Sequence, residues 1–188
     1  GINCIQIGEN MTRGRGTGGN IGLGEQAAKL DAAKLQAAMN GADLVFVTAG
    51  MGGGTGTGAA PIVARLAKEM GILSVGVVTL PFAFEGNRKK KAAQDGITKM
   101  QSQMDALIAV ENDKLSKLPE NRKMSLVQAF ECADNILKQA INCVAELILT
   151  TGVINVDFAD VTTIFRQIFR AIDLRGNPCT LFKISDKF

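Results

Sequence analysis

The chain has 188 residues, 46% of them hydrophobic, which is enough for one well-buried core and too few for two ordinary domains. Its 21 Lys and Arg residues nearly balance 18 Asp and Glu residues, and the net charge of +3 indicates neither a nucleic acid nor an acidic lipid surface as a partner. No apolar run approaches the ~20 residues of a membrane helix and no secretory signal is visible, so we expect a cytoplasmic protein without direct membrane insertion.

The residue types exclude some kinds of catalytic site. The sequence contains no histidine, and its four cysteines are widely spaced without a CxxC pair, so the ligands of a zinc site are missing. Histidine is also the commonest general base in enzymes. Hydrolysis by this chain would therefore depend on carboxylates, amides, backbone groups or a bound metal ion.

Apolar periodicity divides the chain into alternating helices and strands. Apolar, β-branched runs recur about every 30 residues, the repeat of a βαβ unit, and the segments between them have apolar residues at helical spacing. These patterns predict an α/β fold, a three-layer Rossmann-like parallel sheet with helices on both faces. The predicted strands lie at 44–48, 73–79 and 106–110, with a helix after each of the first two. A helix at 25–39, closed by Gly41, precedes them. A long helix at 125–149, which opens with a Ser125/Gln128 capping box, and a short helix at 161–172 follow them.

The segment 50–58, with the sequence GMGGGTGTG, is the most informative part of the chain. It follows a predicted strand and opens a predicted helix, with Pro61 expected in the first turn. Glycines let the backbone approach an anion, the N–H groups and dipole of a helix N-terminus favour negative charge, and two threonines add hydroxyl donors. The segment therefore indicates a phosphate site. The alternative is a turn that only lets strand and helix pack closely.

Two other nucleotide-binding motifs fit this segment poorly. No lysine follows the glycines, so the segment is not a Walker phosphate loop. Gly54, Gly56 and Ala59 satisfy a GxGxxG/A spacing, but the next predicted strand ends at Thr79 and Leu80 without an acidic residue to hold a ribose. The hypothesis that the chain is a nicotinamide-dependent oxidoreductase therefore rests on glycine spacing alone.

The sequence resembles the tubulin and FtsZ superfamily, and FtsZ proteins in particular. GGGTGTG at 52–58 is the superfamily signature, and the likeness extends through the surrounding 41–86, through ENDKL at 111–115 and through NVDFAD at 155–160. It implies a tubulin/FtsZ nucleotide-binding domain with GTP and GDP as ligands and Mg²⁺ as a further candidate. We expect 1–160 to be a partial GTP-binding domain and 161–188 to be a divergent tail without an assignment.

The resemblance implies roles for individual residues. Glu85 would contact the ribose, and Lys89 stands where the family has an arginine, which keeps the charge but loses the planar fork. Phe130 would stack on the base while Asp134, four residues later on the same helix face, accepts hydrogen bonds from its edge. The implied nucleotide-binding residues are Gly52, Gly53, Gly54, Thr55, Gly56, Thr57, Gly58, Gly18, Gly19, Glu85, Lys89, Asn112, Phe130 and Asp134, with Gly18 and Gly19 near the terminal phosphate.

Residue patterns alone leave other interpretations open. Phe130 lies in the apolar stripe of a helix, which is typical of a core residue, and Asp134 could form an ion pair with Lys138. Arg88 could take the place of Lys89. For Lys90 and Lys91 we expect a solvated helix face.

The implied catalytic residues lie in a single loop. By the resemblance, Asn155, Asp157 and Asp160 match the loop that the family inserts into the nucleotide site of the next subunit, where carboxylates polarise the attacking water. From their spacing alone, the two aspartates could equally be helix caps. The leading hypothesis is a GTP-binding, self-assembling protein of bacterial cell division, with hydrolysis completed between adjacent subunits and other division proteins as candidate partners.

Two parts of the family pattern have no counterpart in this chain, namely the first phosphate loop with its strands and the C-terminal domain. We therefore expect a domain that is incomplete at its N-terminus, with a strand at 5–7 and an unpaired edge at 44–48. Such an edge predicts that the N-terminal segment pairs with 44–48 or that a second chain supplies a strand. The alternative function is a truncated interaction or remnant module with weak or no nucleotide binding.

Overall fold

A computed structural model describes residues 3–115 and 125–149 of the chain. Three parallel strands form one sheet in the order β1-β2-β3, so each strand pairs with the next one in sequence. The strands are β1 (Leu44–Gly50), β2 (Leu73–Leu80) and β3 (Ala106–Glu111). The parallel sheet and its three strands are confirmed, and each strand is one or two residues longer at its carboxyl end than the sequence predicts.

Helices cover both faces of this sheet, as predicted. Helices α4 and α5 pack on one face, α7 packs on the other against β2 and β3, and α2 and α3 lie against α4. The helices are α1 (Glu9–Thr12), α2 (Ile21–Leu30), α3 (Ala32–Met39), α4 (Gly54–Glu69), α5 (Asn87–Gln101), α6 (Asn112–Leu115) and α7 (Leu126–Leu149), and a 3₁₀ turn spans Ala83–Glu85. In the described part of the chain, no helix is long and apolar enough to cross a membrane.

Strand β2 is the centre of the fold. Its residues are buried from Leu73 to Thr79, because it has a strand on each side and helices on both faces. A continuous apolar sequence is typical of such a strand, since no side chain reaches water. The predicted capping box also forms at the start of α7: Ser125 N–H donates to Gln128 Oε1 at 2.9 Å, and Gln128 N–H donates to Ser125 Oγ at 3.3 Å.

The single helix predicted at 25–39 is wrong, because Asp31 divides it into α2 and α3. Asp31 has φ −100° and ψ 23°, and its Oδ2 accepts a hydrogen bond from Gly8 N–H at 2.7 Å. Its Oδ1 pairs with Lys34 at 2.7 Å. A tertiary contact to the N-terminal segment therefore interrupts a stretch whose residues favour helix. The left-handed conformation predicted for Gly41 is confirmed, with φ 78°.

The N-terminal segment does not extend the sheet. Residues 3–8 form no strand, so the expected strand at 5–7 and its pairing with β1 are wrong. Residues 3–8 lie instead beside α2, where Gly8 bonds to Asp31 and Ile7 packs near Ala28. Within the described residues, β1 is an edge strand, and a strand supplied by a second chain stays a prediction. The tail 161–188 lies outside the described residues.

Candidate functional site

The glycine-rich segment turns from β1 into α4 at the carboxyl edge of the sheet. Gly52 has φ 100°, and a Cβ there would lie 3.0 Å from the carbonyl oxygen of Lys89, so both its conformation and its space require glycine. Helix α4 begins directly at Gly54, and no side chain of the described residues caps it. The first N–H groups of α4 therefore have no side-chain acceptor among the described residues, and a helix N-terminus of this kind stabilises an anion.

Pro61 is not in the first turn of α4, contrary to the prediction. The helix starts at Gly54, so Pro61 lies about two turns inside it. The residues from Gly54 to Gly58 are helical despite their low helix propensity, because they pack tightly against α2 and the loop before it.

The close-packing interpretation also describes several of these glycines. A Cβ at Gly54 would overlap Thr17 Oγ1, and a Cβ at Gly58 would overlap Ile21 O and lie 2.7 Å from Glu25 N. By contrast, a Cβ at Gly53 would meet nothing within 4 Å. The segment therefore combines an open face at its start with glycines that let α2 approach α4.

The loop 12–20 lies directly against the start of α4. The Thr17 and Thr55 hydroxyls are 3.4 Å apart, and Asn20 Oδ1 caps α2 by accepting from Leu23 N–H at 3.1 Å. A cavity of about 330 Å³ opens between this loop, α2 and α4, and its lining includes Thr12, Gly14, Gly16, Thr17, Gly24 and Thr55. The structure therefore brings together the two glycine-rich segments that the sequence singled out. Gly18 and Gly19 both have positive φ, 56° and 82°.

The two threonines of the segment differ in exposure. Thr57 is 2% exposed, and its Oγ1 accepts a hydrogen bond from Gly52 N–H at 2.8 Å, which fixes the loop from inside. Thr55 is exposed at the helix start. Of the two hydroxyls, Thr55 is the one whose position suits contact with a bound anion.

Glu85 is held by its own turn and by α5. Its Oε1 accepts from Phe82 N–H at 2.9 Å, and its Oε2 pairs with Lys89 Nζ at 3.0 Å. These two implied ligand residues therefore contact each other. Lys90 is partly exposed, and its Nζ also lies 2.8 Å from Asp113 Oδ2, while Lys91 is exposed as expected.

Phe130 projects from α7 into an aromatic cluster at the edge of the sheet. Its side chain is 45% exposed, so the core interpretation is wrong. Its ring packs edge-on against Phe82 and Phe84, with ring centroids 5.4 and 6.4 Å away, and Phe82 stacks on Phe84 at 5.0 Å. Asp134 is exposed one turn further along α7, and in the described part of the chain it forms no ion pair with Lys138.

Asn112 follows β3 at the same edge. Its side chain is 4% exposed, and its Oδ1 is buried without a hydrogen-bond partner among the described residues. Leaving such an oxygen unpaired costs about 1–3 kcal/mol, so it is a position where a ligand donor would be gained at low cost. Leu115 packs with Ala133, which brings the helix that starts at Asn112 beside the segment of α7 that carries Phe130 and Asp134.

Sequence reasoning missed three residues of this edge. Phe82 and Phe84 form the aromatic cluster with Phe130, and the signal was the unusual Phe-Ala-Phe run after β2. Asp113 was missed although it directly follows Asn112. The predicted catalytic residues Asn155, Asp157 and Asp160 lie outside the described residues. Residues 3–115 and 125–149 contain no cluster of three metal-ligating side chains that could hold an ion by themselves.

Comparisons with known proteins agree with this geometry. The family model for the "Tubulin/FtsZ family, GTPase domain" matches residues 2–120. The cell division protein FtsZ of Buchnera aphidicola subsp. Acyrthosiphon pisum (strain APS) is 51% identical over 164 residues, which cover 87% of this chain and 42% of that protein. The chain thus spans less than half the length of the curated relatives that we compared.

Two solved structures share the fold. An empty FtsZ dimer from M. jannaschii has a TM-score of 0.79 and 46% identity, covering 85% of this chain and 46% of that chain. CetZ2 from Haloferax volcanii, a GTPγS-bound protofilament, has a TM-score of 0.66 and 26% identity, covering 78% of this chain and 45% of that chain. The sheet, its helices and the glycine-rich turn therefore belong to a recurring architecture.

Proposed function

Because this chain belongs to the Tubulin/FtsZ family of GTPase domains, we propose that it binds a guanine nucleotide at the carboxyl edge of its sheet. The observation that carries this proposal is the buried Oδ1 of Asn112, which has no partner among the described residues. A guanine ring offers N–H donors from its ring nitrogen and amino group. Asn112 Oδ1 and the Asp134 carboxylate are acceptors on two neighbouring helices, α6 and α7, and the exposed ring of Phe130 on α7 would stack on the base.

The phosphates would lie at the start of α4. The uncapped N–H groups near Gly53, the hydroxyl of Thr55 and the left-handed backbone at Gly18 and Gly19 support this placement. Gly52 and Thr57 would shape the loop, and Gly54, Gly56 and Gly58 would admit its close packing. Mg²⁺ is a further candidate and would be held mainly by the phosphates, as is common for this ion.

Ribose contact by Glu85 requires a small rearrangement. Its Oε2 lies 3.0 Å from Lys89 Nζ, so a ribose hydroxyl would share or replace that pair. The pair lies at a half-exposed lysine, and such ion pairs contribute only ~0–1 kcal/mol. The cost of opening it is therefore modest. The Glu85–Lys89 ion pair also favours the second candidate function, a binding module with weak nucleotide affinity. The reason is that the pair engages both residues that the family resemblance assigns to the nucleotide.

The wider role that we propose is self-assembly in bacterial cell division. The relatives named above are a cell division protein, a dimer and a protofilament, which supports self-association of this chain as well. In the assembly, Asp157, Asp160 and Asn155 of one subunit would complete hydrolysis at the nucleotide of the next. Other division proteins are further candidate partners.

Calorimetric titration with GTP and ATP tests nucleotide binding. The wild-type chain should bind GTP more tightly than ATP, because adenine lacks the two adjacent N–H groups from which Asp134 and Asn112 would accept hydrogen bonds. Asp134→Ala should weaken GTP binding about tenfold or more and leave ATP nearly unchanged, since hydrogen bonds to charged groups contribute about 1.5–3 kcal/mol. Lys138→Ala, one turn further along α7, is the matched control and should change neither affinity.

Two results would contradict guanine recognition. Absence of GTP binding in the wild-type chain would favour the weak-binding module. An equal loss of GTP and ATP affinity in Asp134→Ala would show that this residue does not read the base.

The dependence of hydrolysis on protein concentration tests the shared catalytic site. If neighbouring subunits supply the carboxylates, the rate per molecule should rise steeply with concentration. Asp157→Ala and Asp160→Ala should abolish hydrolysis while nucleotide binding stays intact. A rate per molecule that stays constant when the protein is diluted well below the dissociation constant of self-association would rule out a shared site.

A further inference from the structure

Asp113 joins three segments at the carboxyl edge of the sheet. Its Oδ1 accepts a hydrogen bond from Ala83 N–H at 2.6 Å, and its Oδ2 accepts one from Lys90 Nζ at 2.8 Å. Ala83 opens the 3₁₀ turn after β2, Lys90 lies in the first turns of α5, and Asp113 itself lies in α6 after β3. One carboxylate therefore connects elements that are about 30 residues apart in the chain.

The connected segments carry the two halves of the proposed nucleotide site. The 3₁₀ turn carries Phe84 and Glu85, whereas α6 starts at Asn112, directly before Asp113. Their separation sets where a ribose contact lies relative to a base contact. We propose that Asp113 is a positioning residue that fixes the Glu85 turn relative to Asn112. This inference rests on the proposed function, because it assigns a role within the same site.

Within the described residues, the other backbone hydrogen bonds of the turn lie inside the turn and do not reach β3 or α6. Glu85 N–H donates to Phe82 O at 3.0 Å, Gly86 N–H donates to Ala83 O at 3.2 Å, and Phe82 N–H donates to Glu85 Oε1. These bonds shape the turn from within. Phe82 anchors it through apolar packing, being 1% exposed, but such packing has little directional preference. The bond to Asp113 supplies direction, because a hydrogen bond weakens steeply when it is bent.

The bonds of Asp113 to Ala83 and to Lys90 are both at least partly open to solvent. The ion pair with Lys90 joins side chains that are 41% and 31% exposed, and pairs of that kind contribute little. The Ala83 N–H bond is exposed as well, but it is short, has an ionised acceptor and is the bond that reaches the 3₁₀ turn. Positioning of the turn therefore depends on the acceptor for Ala83 N–H rather than on the charge of Lys90. An asparagine at 113 would keep an acceptor oxygen there.

Deleting the bond from either side tests the inference. Asp113→Ala removes the acceptor. Ala83→Pro removes the donor and suits the first position of a helical turn, where Phe82 before it already has the extended backbone that a proline prefers. Asp113→Asn is the conservative variant. The measured quantities are the affinities for GTP, 2′-deoxy-GTP and 3′-deoxy-GTP, together with the hydrogen-exchange rate of the amide at 83 where that amide is present.

A second aspartate offers a matched control. Asp105, at the opposite end of β3, accepts from Ser74 N–H at 2.9 Å and from Ser74 Oγ at 3.2 Å, so it makes the same kind of link far from the proposed site. Asp105→Ala should lower thermal stability without changing the preference for GTP over the deoxy nucleotides. A loss of that preference is therefore the signature of positioning rather than of general destabilisation.

We expect Asp113→Ala and Ala83→Pro each to lower GTP affinity about tenfold. We also expect each to bring the ratio of the affinity for GTP to the affinity for the deoxy nucleotides closer to one. Their combination should cost little more than either alone, because both remove the same bond. Asp113→Asn should keep most of the preference. In the nucleotide-free protein, the amide at 83 should exchange faster in Asp113→Ala than in the wild type.

The outcomes separate this inference from the proposed function. If the wild type binds GTP and both Asp113→Ala and Ala83→Pro keep its affinity and ribose preference, positioning by Asp113 is wrong while guanine binding stands. If the wild type binds no GTP, the proposed function is wrong, and the role of Asp113 in a nucleotide site falls with it. Unchanged exchange at the Ala83 amide in Asp113→Ala would overturn the link itself, whatever the nucleotide result.

Discussion

The two ends of the sheet differ in how completely their polar groups are paired within the protein. At the amino end, Asp105 accepts two hydrogen bonds from Ser74, and Lys68 Nζ donates to Ser102 O at 2.8 Å, so these polar groups are used within the protein. At the carboxyl end, α4 has no side-chain cap and Asn112 Oδ1 has no partner among the described residues. The carboxyl end also has internally bonded groups, such as Asp113 and Glu85.

This difference shows at which end of the sheet polar groups are left without internal partners. Parallel α/β sheets bind ligands beyond the carboxyl ends of their strands, and here that end also exposes Phe84 and Phe130, by 60% and 45%. Unpaired polar atoms and exposed rings lower stability unless a ligand covers them. The polar groups of the amino end therefore stabilise the domain, and the unpaired groups of the carboxyl end are the ones that support the proposed binding site.

The largest effect should come from Gly58→Ala, which would show whether the carboxyl end also depends on tight packing. The new Cβ would overlap Ile21 O and approach Glu25 N, which are backbone atoms and cannot turn away as a side chain could. We expect a loss of about 1–3 kcal/mol or more in the free energy of unfolding. Urea titration measures it. Gly53→Ala, where a Cβ meets nothing within 4 Å, is the control and should change stability little.

A paired comparison of Asp105→Ala and Asn112→Leu tests the contrast directly. Asp105→Ala leaves Ser74 N–H, in a fully buried residue, without its acceptor and should cost about 1–3 kcal/mol. Asn112→Leu removes a buried oxygen that has no described partner, so the nucleotide-free protein should keep its stability or gain up to about 1–3 kcal/mol. Thermal unfolding without nucleotide measures both. Equal losses would mean that the two ends do not differ in this respect.

The smallest effect concerns the pH dependence of the link between Asp31 and the N-terminal segment. The side-chain hydrogen bond from Lys34, and then the bond from Gly8 N–H, hold the pKa of Asp31 below its usual value. A lowered pKa in the folded state means that stability is present above the unfolded pKa and is lost as the pH falls through the folded pKa. Asp31→Asn keeps an acceptor for Gly8 but does not titrate.

Urea midpoints measured from about pH 7 down to about pH 3 should therefore fall slightly less in Asp31→Asn than in the wild type. The difference should be small, because Asp31 is only partly buried and its partner Lys34 is half-exposed, so solvent screens the pair. If the urea midpoints of the two proteins fall equally as the pH is lowered, the Gly8 contact does not depend on the charge of Asp31.

The three strands and their parallel arrangement were predictable because their signal is local. Apolar, β-branched runs at a spacing of about 30 residues require a helix between them, and parallel pairing follows. The break at Asp31 was not predictable, since the residues on both sides favour helix and the cause is a bond to Gly8, far away in sequence. Pro61 was misplaced for a related reason, because packing against α2 makes the glycines before it helical.

The candidate site was predictable mainly through its resemblance to the family. Apolar periodicity puts Phe130 in the core, and it cannot reveal that this turn of α7 projects past the sheet toward Phe84. Spacing likewise gave no reason to separate Thr55 from Thr57, although one is exposed and the other buried. Asp113 was missed because its partner Ala83 is not near it in sequence.

The sequential order of the strands has a consequence for how the chain acquires its fold during synthesis. Each strand pairs with the one that emerges next, so the sheet can grow from β1 toward β3 without waiting for a distant segment. Strand β2 stays half covered until β3 arrives, and α7 closes the second face last. The most buried strand of the folded sheet is thus the one exposed during elongation, which makes the interval before β3 emerges the period in which a chaperone would protect this chain most.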